Sequence, residues 1–538
     1  MTREDGSDGK KKQGELAVSI HELSRRSLLK TSAAAGAAAL APSASPHAQA
    51  TKVLKARSYI DVAILDPGDR VGVVDDEVMT AMLGGLVRLK PGADDWSWEK
   101  DLAVSIEQVD ATHIKFQLKP GIPWTNGFGE VSAEDVKFSY ERIADPARKA
   151  EYRTDWDSLD HVEITDSRSG VIVMKRPFAP LWSTTLPTAS GLIVCKKAVE
   201  SLPDKRITLD PVAVSGPYKI KSAIPLRSVT LERNPLWPGK KPAFDEIQYT
   251  LILDANSAEI AYEAGEIDIT LLANSAVPRL KKSMPAHSKL IAKPALAYWW
   301  IGMQSESGIF ADKRVRQAMQ YALDPDAVIE GAFFGVPERA TGIIAPGLIG
   351  HRPANLIKGP DLNKAKALLK EAGKGDGFKT TIGVRNSAEF VNAAQILAAQ
   401  LAQVGVTAEV IPYDSGTQKA LADGKNGEWK KMEMHIIRFS MQPDPSWATA
   451  WFVTSQIGQW NWERFSNAEF DKLADDGVAE LDNKKRDVIY RRMQDVMEES
   501  GSYLFLTHGV NAVLHRDTIK PALTPDAQRF LFREFEPA

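Results

Sequence analysis

One cysteine, Cys195, stands in 538 residues. No internal disulfide can form, and no thiolate cluster can hold a metal. The nine histidines are scattered, without His-Glu-x-x-His or the paired spacing that a zinc site uses. Glycine motifs are missing as well: there is no Gly-x-Ser-x-Gly, no Walker loop and no strict Gly-x-Gly-x-x-Gly. A Ser-x-x-Lys match at Ser27–Lys30 has no Lys-Thr-Gly partner. No catalytic residue, metal site or cofactor is expected on these grounds. A fixed-period repeat is absent too, which disfavours a solenoid. No stretch offers the roughly 20 strongly apolar residues that span a bilayer.

What is present begins at the N-terminus. Residues 24–30 read Ser-Arg-Arg-Ser-Leu-Leu-Lys, after a polar segment that holds Lys10-Lys11-Lys12. A short, alanine-rich apolar run from Ser27 to Leu40 follows, and Ala48-Gln49-Ala50 supplies the small side chains that a signal peptidase reads. This order describes a twin-arginine signal peptide over 1–50, with the mature chain starting at Thr51. No cysteine follows the cleavage site, so no lipid attachment is expected. The mature chain should be free in the periplasm and should cross the membrane already folded.

Removing 1–50 takes away seven basic and five acidic residues and leaves a net charge of −5. Mild acidity argues against nucleic acid or an anionic membrane as partner. The remaining 488 residues exceed what one core usually serves, so two or three lobes are expected.

Strand and helix signals alternate along the mature chain. Ile114–Leu118 alternates like a half-buried strand. Ser132-Ala-Glu-Asp135 opens a helix that Asp145-Pro146 stops. Ser215-Gly-Pro-Tyr218 is turn chemistry before a strand. Asp312–Leu323 puts Val315, Ala318, Met319 and Ala322 on one helical face, and Asp324-Pro325 caps the next helix. Asp361 caps a helix ending at Gly373 with a stripe of Ala365, Leu368, Leu369 and Ala372. Lys379–Arg385, Ala388–Val404 and Val406–Ile411 read as strand, helix and strand, which implies a parallel pair in an α/β lobe. Asn467–Leu473 and Lys485–Glu499 complete the set as amphipathic helices.

Several segments, in order, resemble the family 5 extracytoplasmic solute-binding proteins of ABC importers, the oligopeptide-, dipeptide- and nickel-binding class. They are Leu65-Asp-Pro67, Gly85-Leu86, Gly121-Ile-Pro-Trp-Thr-Asn126, Ala133-Glu-Asp-Val-Lys-Phe138, Ser215-Gly-Pro-Tyr218, Glu232-Arg-Asn234 with Trp237, and Gly265-Glu-Ile-Asp268. Asp312-Lys-Arg-Val-Arg-Gln-Ala318, Tyr321-Ala-Leu-Asp324, the Asp361 helix and Tyr490-x-x-Met-Gln494 follow. The resemblance implies a two-lobed α/β periplasmic-binding-protein fold with an extra subdomain in lobe I. Lobe I would take 51–298 and the return segment 505–538, its inserted subdomain about 85–205, and lobe II 299–504. Tyr298–Gly302 and Tyr503–Thr507 would be the crossover strands. It also implies a monomer that traps a small solute by hinge closure and hands it to an ABC permease and its ATPase.

The resemblance directs attention to Arg438-Phe-Ser-Met441-Gln-Pro-Asp444-Pro445. Peptide-binding members hold the ligand's α-ammonium with an aspartate just before an acidic-Pro pair. Aligning on Asp444-Pro445 puts Met441 at that place; aligning on Arg438 makes Asp444 the carboxylate. Asp444 is equally suited to capping a turn at its proline. Arg438 suits a ligand carboxylate or phosphate, or an ion pair in the cleft wall. Trp447, Trp451, Trp460 and Trp462 crowd into sixteen residues, and Trp299-Trp300 stands at the crossover. Indole faces suit sugars, planar rings or cations. The expected ligand-binding residues are Trp300, Arg438, Asp444, Trp447 and Trp460. Peptides lead as the ligand, with opine-like conjugates or oligosaccharides next. A secreted hydrolase with paired carboxylates is the alternative of a different class.

Overall fold

The computed structural model describes residues 52–424 and 427–538; the signal peptide assigned to 1–50 and the expected first mature residue, Thr51, lie outside them. No helix among the described residues is long and apolar enough to cross a membrane. Three larger sheets organise the chain.

The first is seven-stranded, in the spatial order Ser288–Pro294, Val510–Arg516, Ile269–Leu271, Val53–Ser58, Glu246–Leu251, Ser228–Arg233 and Tyr218–Ile224. Val53–Ser58 runs parallel to Glu246–Leu251 from Val53↔Glu246 to Ser58↔Leu251. Arg57, 5 % exposed, binds the carboxyl edge of this sheet together. Its Nε donates to the Ile252 carbonyl at 2.8 Å, one Nη to Leu271 at 2.8 Å and the other to Leu253 at 3.0 Å. A buried guanidinium needs such acceptors, because an unpaired buried charge is costly.

The second sheet has five strands, ordered Val406–Tyr413, Phe378–Arg385, Met434–Ser440, Ala297–Met303 and Tyr503–Thr507. Phe378–Arg385 and Val406–Tyr413 are parallel, with the helix Ala388–Ala402 between them, as the strand-helix-strand pattern predicts. Gly405, where that helix was expected to stop, has φ +81°, a left-handed value that glycine adopts without strain. Ala297–Met303 is buried at every residue. Its side chains alternate between the faces: Trp299, Ile301 and Met303 join the apolar cluster under Ala388–Ala402, and Tyr298 and Trp300 join the opposite one with Tyr490, Met493 and Phe505.

The third sheet, ordered Ala103–Gln108, His113–Leu118, Ser169–Met174 and Leu159–Asp166, shares one apolar cluster with the first. Phe116 and Ile172 pack in the same group as Leu54 and Ile247. The helix Ala133–Ala144 lies against it, opened by Ser132 and Asp135 in a reciprocal capping box and closed at Asp145. Asp312, Asp324 and Asp361 cap helices more simply, each carboxylate accepting from a backbone N–H of the first turn. In the Asp361 helix, Ala365 and Leu369 are buried while Leu368 and Ala372 are half-buried, so the stripe is narrower than the pattern implies.

The chain passes from the first sheet to the second through residues 295–296 and returns through 508–509. The sheet strands Ala297–Met303 and Tyr503–Thr507 therefore lie wholly in the second sheet, a few residues from the expected limits at 298 and 505. The two passages touch: Ala295 N donates to the Gly509 carbonyl at 3.2 Å, and His508 Nδ1 donates to the Ala297 carbonyl at 2.7 Å. His508 is buried, and burial depresses its imidazole to about 4 despite that bond. A histidine depressed when folded is bound by more protons when unfolded, so its contribution is present above pH 6.5 and lost as pH falls toward 4. Each pH unit in that window removes up to about 1.4 kcal/mol. Thermal unfolding followed from pH 7 to 4 should show a steeper loss for the wild type than for His508→Gln.

Candidate functional site

Strand directions fix which edges face each other. Ala297–Met303 begins at the passage from the first sheet. Its neighbour Met434–Ser440 is antiparallel, with Ala297↔Ser440, so that strand ends at the passage. Phe378–Arg385 is parallel to Met434–Ser440 and ends on the same side. In the first sheet, Val510 begins just after the return passage. Ile269–Leu271 is antiparallel to that strand and parallel to Val53–Ser58, so both end toward the second sheet. The carboxyl ends of both sheets thus border one cleft, the usual place for ligands in α/β folds.

At the second sheet's edge, Arg438 is exposed on the face opposite Phe439. It stands near Arg385, the last residue of the neighbouring strand, and Glu389 in the first turn of the following helix. Neither guanidinium makes an ion pair among the described residues. Burial raises the Glu389 carboxyl, and Arg438 opposes that rise. Two like charges side by side at a sheet edge are costly alone and favourable around an anion, with bidentate geometry available for a carboxylate. Arg385 was not singled out in the sequence; it ends an ordinary strand, and only tertiary pairing places it beside Arg438.

On the other face of the same strand end stands an aromatic wall. Phe439 and Trp460 meet edge-to-face with centroids 5.7 Å apart. Trp451 and Trp460 are 5.6 Å apart, and Trp447 and Trp451 5.9 Å apart at 90°. Phe439, Ser440, Trp451 and Trp460 line an open pocket of ≈ 180 Å³. The Lys419 ammonium lies 4.6 Å from the Trp460 ring centre and pairs with Asp423. Trp447, Trp451 and Trp460 are each half-buried, so their faces are only partly covered by protein.

Trp300, expected at the ligand surface, is 1 % exposed. It stacks on Tyr298 at 5.3 Å and lies 5.0 Å edge-to-face from Phe439, which puts it behind the wall. Its Nε1 donates to Glu463 Oε1 at 2.6 Å, and His435 Nε2 donates to the same oxygen at 2.8 Å. Gly302 makes room for them, since a Cβ there would collide with both Glu463 and His435. Glu463 thereby ties the loop carrying Trp451 and Trp460 to the sheet.

Asp444 is fully buried. Oδ1 accepts from Ser446 N at 3.0 Å and Ser446 Oγ at 2.7 Å, capping the turn that begins at Pro445. Arg486 Nη2 bridges both oxygens at 2.9 and 3.0 Å. Ser183 Oγ donates to Oδ2 at 2.7 Å. The turn-capping role weighed for Asp444 is the one seen here, and its oxygens are occupied by protein donors. Met441 is 5 % exposed, and its N donates to the Leu296 carbonyl at the passage between sheets.

Residues 97–460 match the model for bacterial extracellular solute-binding proteins, family 5 middle region, and residues 22–42 match the twin-arginine translocation signal. The glutathione-binding protein GsiB of Salmonella paratyphi A is 25 % identical over 82 % of this chain and 86 % of its own length. HbpA2 of Haemophilus parasuis superposes with a TM-score of 0.79 at 21 % identity, covering 90 % of this chain and 100 % of that one. The Bacillus subtilis oligopeptide-binding protein AppA, solved with a nonapeptide, gives 0.69 at 21 % identity over 90 % and 99 %. The fold is thus the two-lobed α/β one expected, and the signal places the protein in the periplasm. The chain belongs to the family 5 bacterial extracellular solute-binding proteins.

Proposed function

We propose that the protein captures a peptide-class solute between its lobes and delivers it to an ABC permease driven by its ATPase, acting as a monomer and making or breaking no bond. The pairing of Arg385 and Arg438 at the carboxyl end of the second sheet, with the Phe439–Trp451–Trp460 wall on the other face of the same strand end, carries this reading. The arginines suit a terminal carboxylate, and the wall suits an apolar or planar side chain. A ligand touching both lobes binds the closed form better and shifts the open–closed equilibrium by that difference. Lobe limits near 51–298, 299–504 and 505–538 are supported by sheet membership to within a few residues, and an inserted unit near 85–205 by the separate four-stranded sheet.

Within this reading Arg438, Trp447 and Trp460 face ligand, with Arg385, Phe439 and Trp451 added. Trp300 and Asp444 act behind them, as support. A second reading, an opine-like conjugate or oligosaccharide, is favoured by Met441 and by the occupied oxygens of Asp444, which leave no spare carboxylate there for an ammonium. The peptide relatives nevertheless keep peptides first.

Titration calorimetry with glutathione and a set of tripeptides should give saturable binding with Kd around 1 μM, about −8 kcal/mol, and no product by mass spectrometry. Absence of binding to every peptide would sink the peptide reading, and product formation would sink the binding-protein reading. Arg385→Ala and Trp460→Ala should each weaken binding by roughly tenfold or more, because each removes an anchor from a desolvated contact, with the melting temperature held. Asp444→Asn should behave differently. Loss of one partner of a buried ion pair costs about 3–5 kcal/mol, so thermal unfolding should drop sharply; unchanged stability with lost binding would return Asp444 to the ligand.

A further inference from the structure

The seam between the four-stranded unit and the second lobe adjoins the turn that begins at Pro445. Two loops of that unit reach the seam. One carries Trp96 and leads into the short strand Trp98–Lys100, which pairs with Val87–Leu89; the other follows the turn Ala179–Trp182 and carries Ser183. Trp98 and Trp182 stack at 5.1 Å and 18°, and Trp182 Nε1 donates to Gln108 Oε1 at 2.8 Å, so the loops are fastened to each other and to their own sheet. From this base Trp96 packs on the second lobe's apolar cluster, and Ser183 Oγ reaches Asp444.

The acceptor is already fixed on the far side by Arg486, which is 2 % exposed and whose Nε is held by the Gly477 carbonyl at 2.9 Å. A hydroxyl donating to a preorganised carboxylate makes one of the stronger neutral-to-charged hydrogen bonds. Around it the seam is loosely filled: a cavity of ≈ 390 Å³ opens between Trp96, Trp98 and Trp182 on one side and Pro443, Pro445 and Arg486 on the other. A permanent interface would be packed to interior density. One strong polar contact, one inserted ring and the packing of the Ala179–Trp182 turn on the helix Ala468–Ala479, beside unfilled space, describe a contact that can part without disrupting either core.

We propose that Ser183 and Trp96 form a releasable latch on Asp444 and the second lobe, which favours the closed arrangement and so sets how readily the cleft opens. This rests on the two-lobed trap described above and adds a control on its closure. Asp444 thereby has two duties: with Arg486 it holds its own lobe, and its Oδ2 receives the latch. Parting the seam leaves the Asp444–Arg486 pair intact, so opening does not strand a buried charge.

Small-angle scattering of the mature protein, with no solute added, reads the latch directly. Ser183→Ala and Trp96→Ala should each raise the radius of gyration, with circular dichroism and melting temperature unchanged. Ser183→Thr, which keeps the hydroxyl, should restore the wild-type value. For any tripeptide that binds the wild type, Ser183→Ala should release it faster by roughly tenfold, the order expected from one hydrogen bond to a charged group. An unchanged radius and unchanged release rate in both alanine variants would overturn the latch. If the wild type binds no peptide while the alanine variants still expand, the peptide reading fails and the latch stands.

Discussion

The carboxylate of Asp444 is the point on which the second lobe's cleft edge depends. It caps the turn that begins at Pro445, accepts Arg486 from the long helix Asn483–Glu499, and receives Ser183 from the loop after the turn Ala179–Trp182. A buried ion pair contributes little net stability over an apolar substitute, but its geometry is hard to replace by anything else. Here that geometry joins the end of the Met434–Ser440 strand, the helix behind it and a loop of another unit. The aromatic residues from Trp447 to Trp462 follow directly in sequence, so where Asp444 is held determines where their chain segment starts. Glu463 fixes the other end of the segment through Trp300 and His435. A wall made of a loop is rigid only when both of its ends are anchored in the core.

The rest of the site follows from strand direction. Two mixed sheets joined by short passages, with carboxyl ends turned toward each other, bring strand ends, a helix N-terminus and two arginines without an ion pair among the described residues to one cleft. Neither sheet has a complete site alone. Affinity in such an arrangement comes from what a solute gains by touching both edges at once, and the cost of closure is offset only by those contacts.

Much of the fold was legible in the sequence because its signals are local. Caps act over three residues, which is why Ser132, Asp312, Asp324 and Asp361 announce their helices. The strand-helix-strand pattern from Phe378 to Tyr413 is readable from period alone. The opposite facing of Trp299 and Trp300 follows from strand geometry. Which of them meets solvent does not, because both faces of that sheet are covered. Trp300 looked like a ligand residue and is a core residue holding the wall from behind. Arg385 looked like the ordinary end of a strand and stands in the cleft. In each case exposure is set by elements far away in the chain, and no local pattern carries that information.

The sequence by itself determined the address, the family, the α/β character and the positions of most helices, since signal peptides, caps and periodicities are written in neighbouring residues. The tertiary structure alone decided which side chains meet. Ser183 and Asp444 are 261 positions apart, and Arg57 binds strand ends 195 and 214 positions away. Such contacts arise from sheet register and from how two cores are set against each other, and the same residue types at the same spacings would serve equally well as surface groups in another arrangement. The division between wall, support and latch is therefore a property of the folded chain.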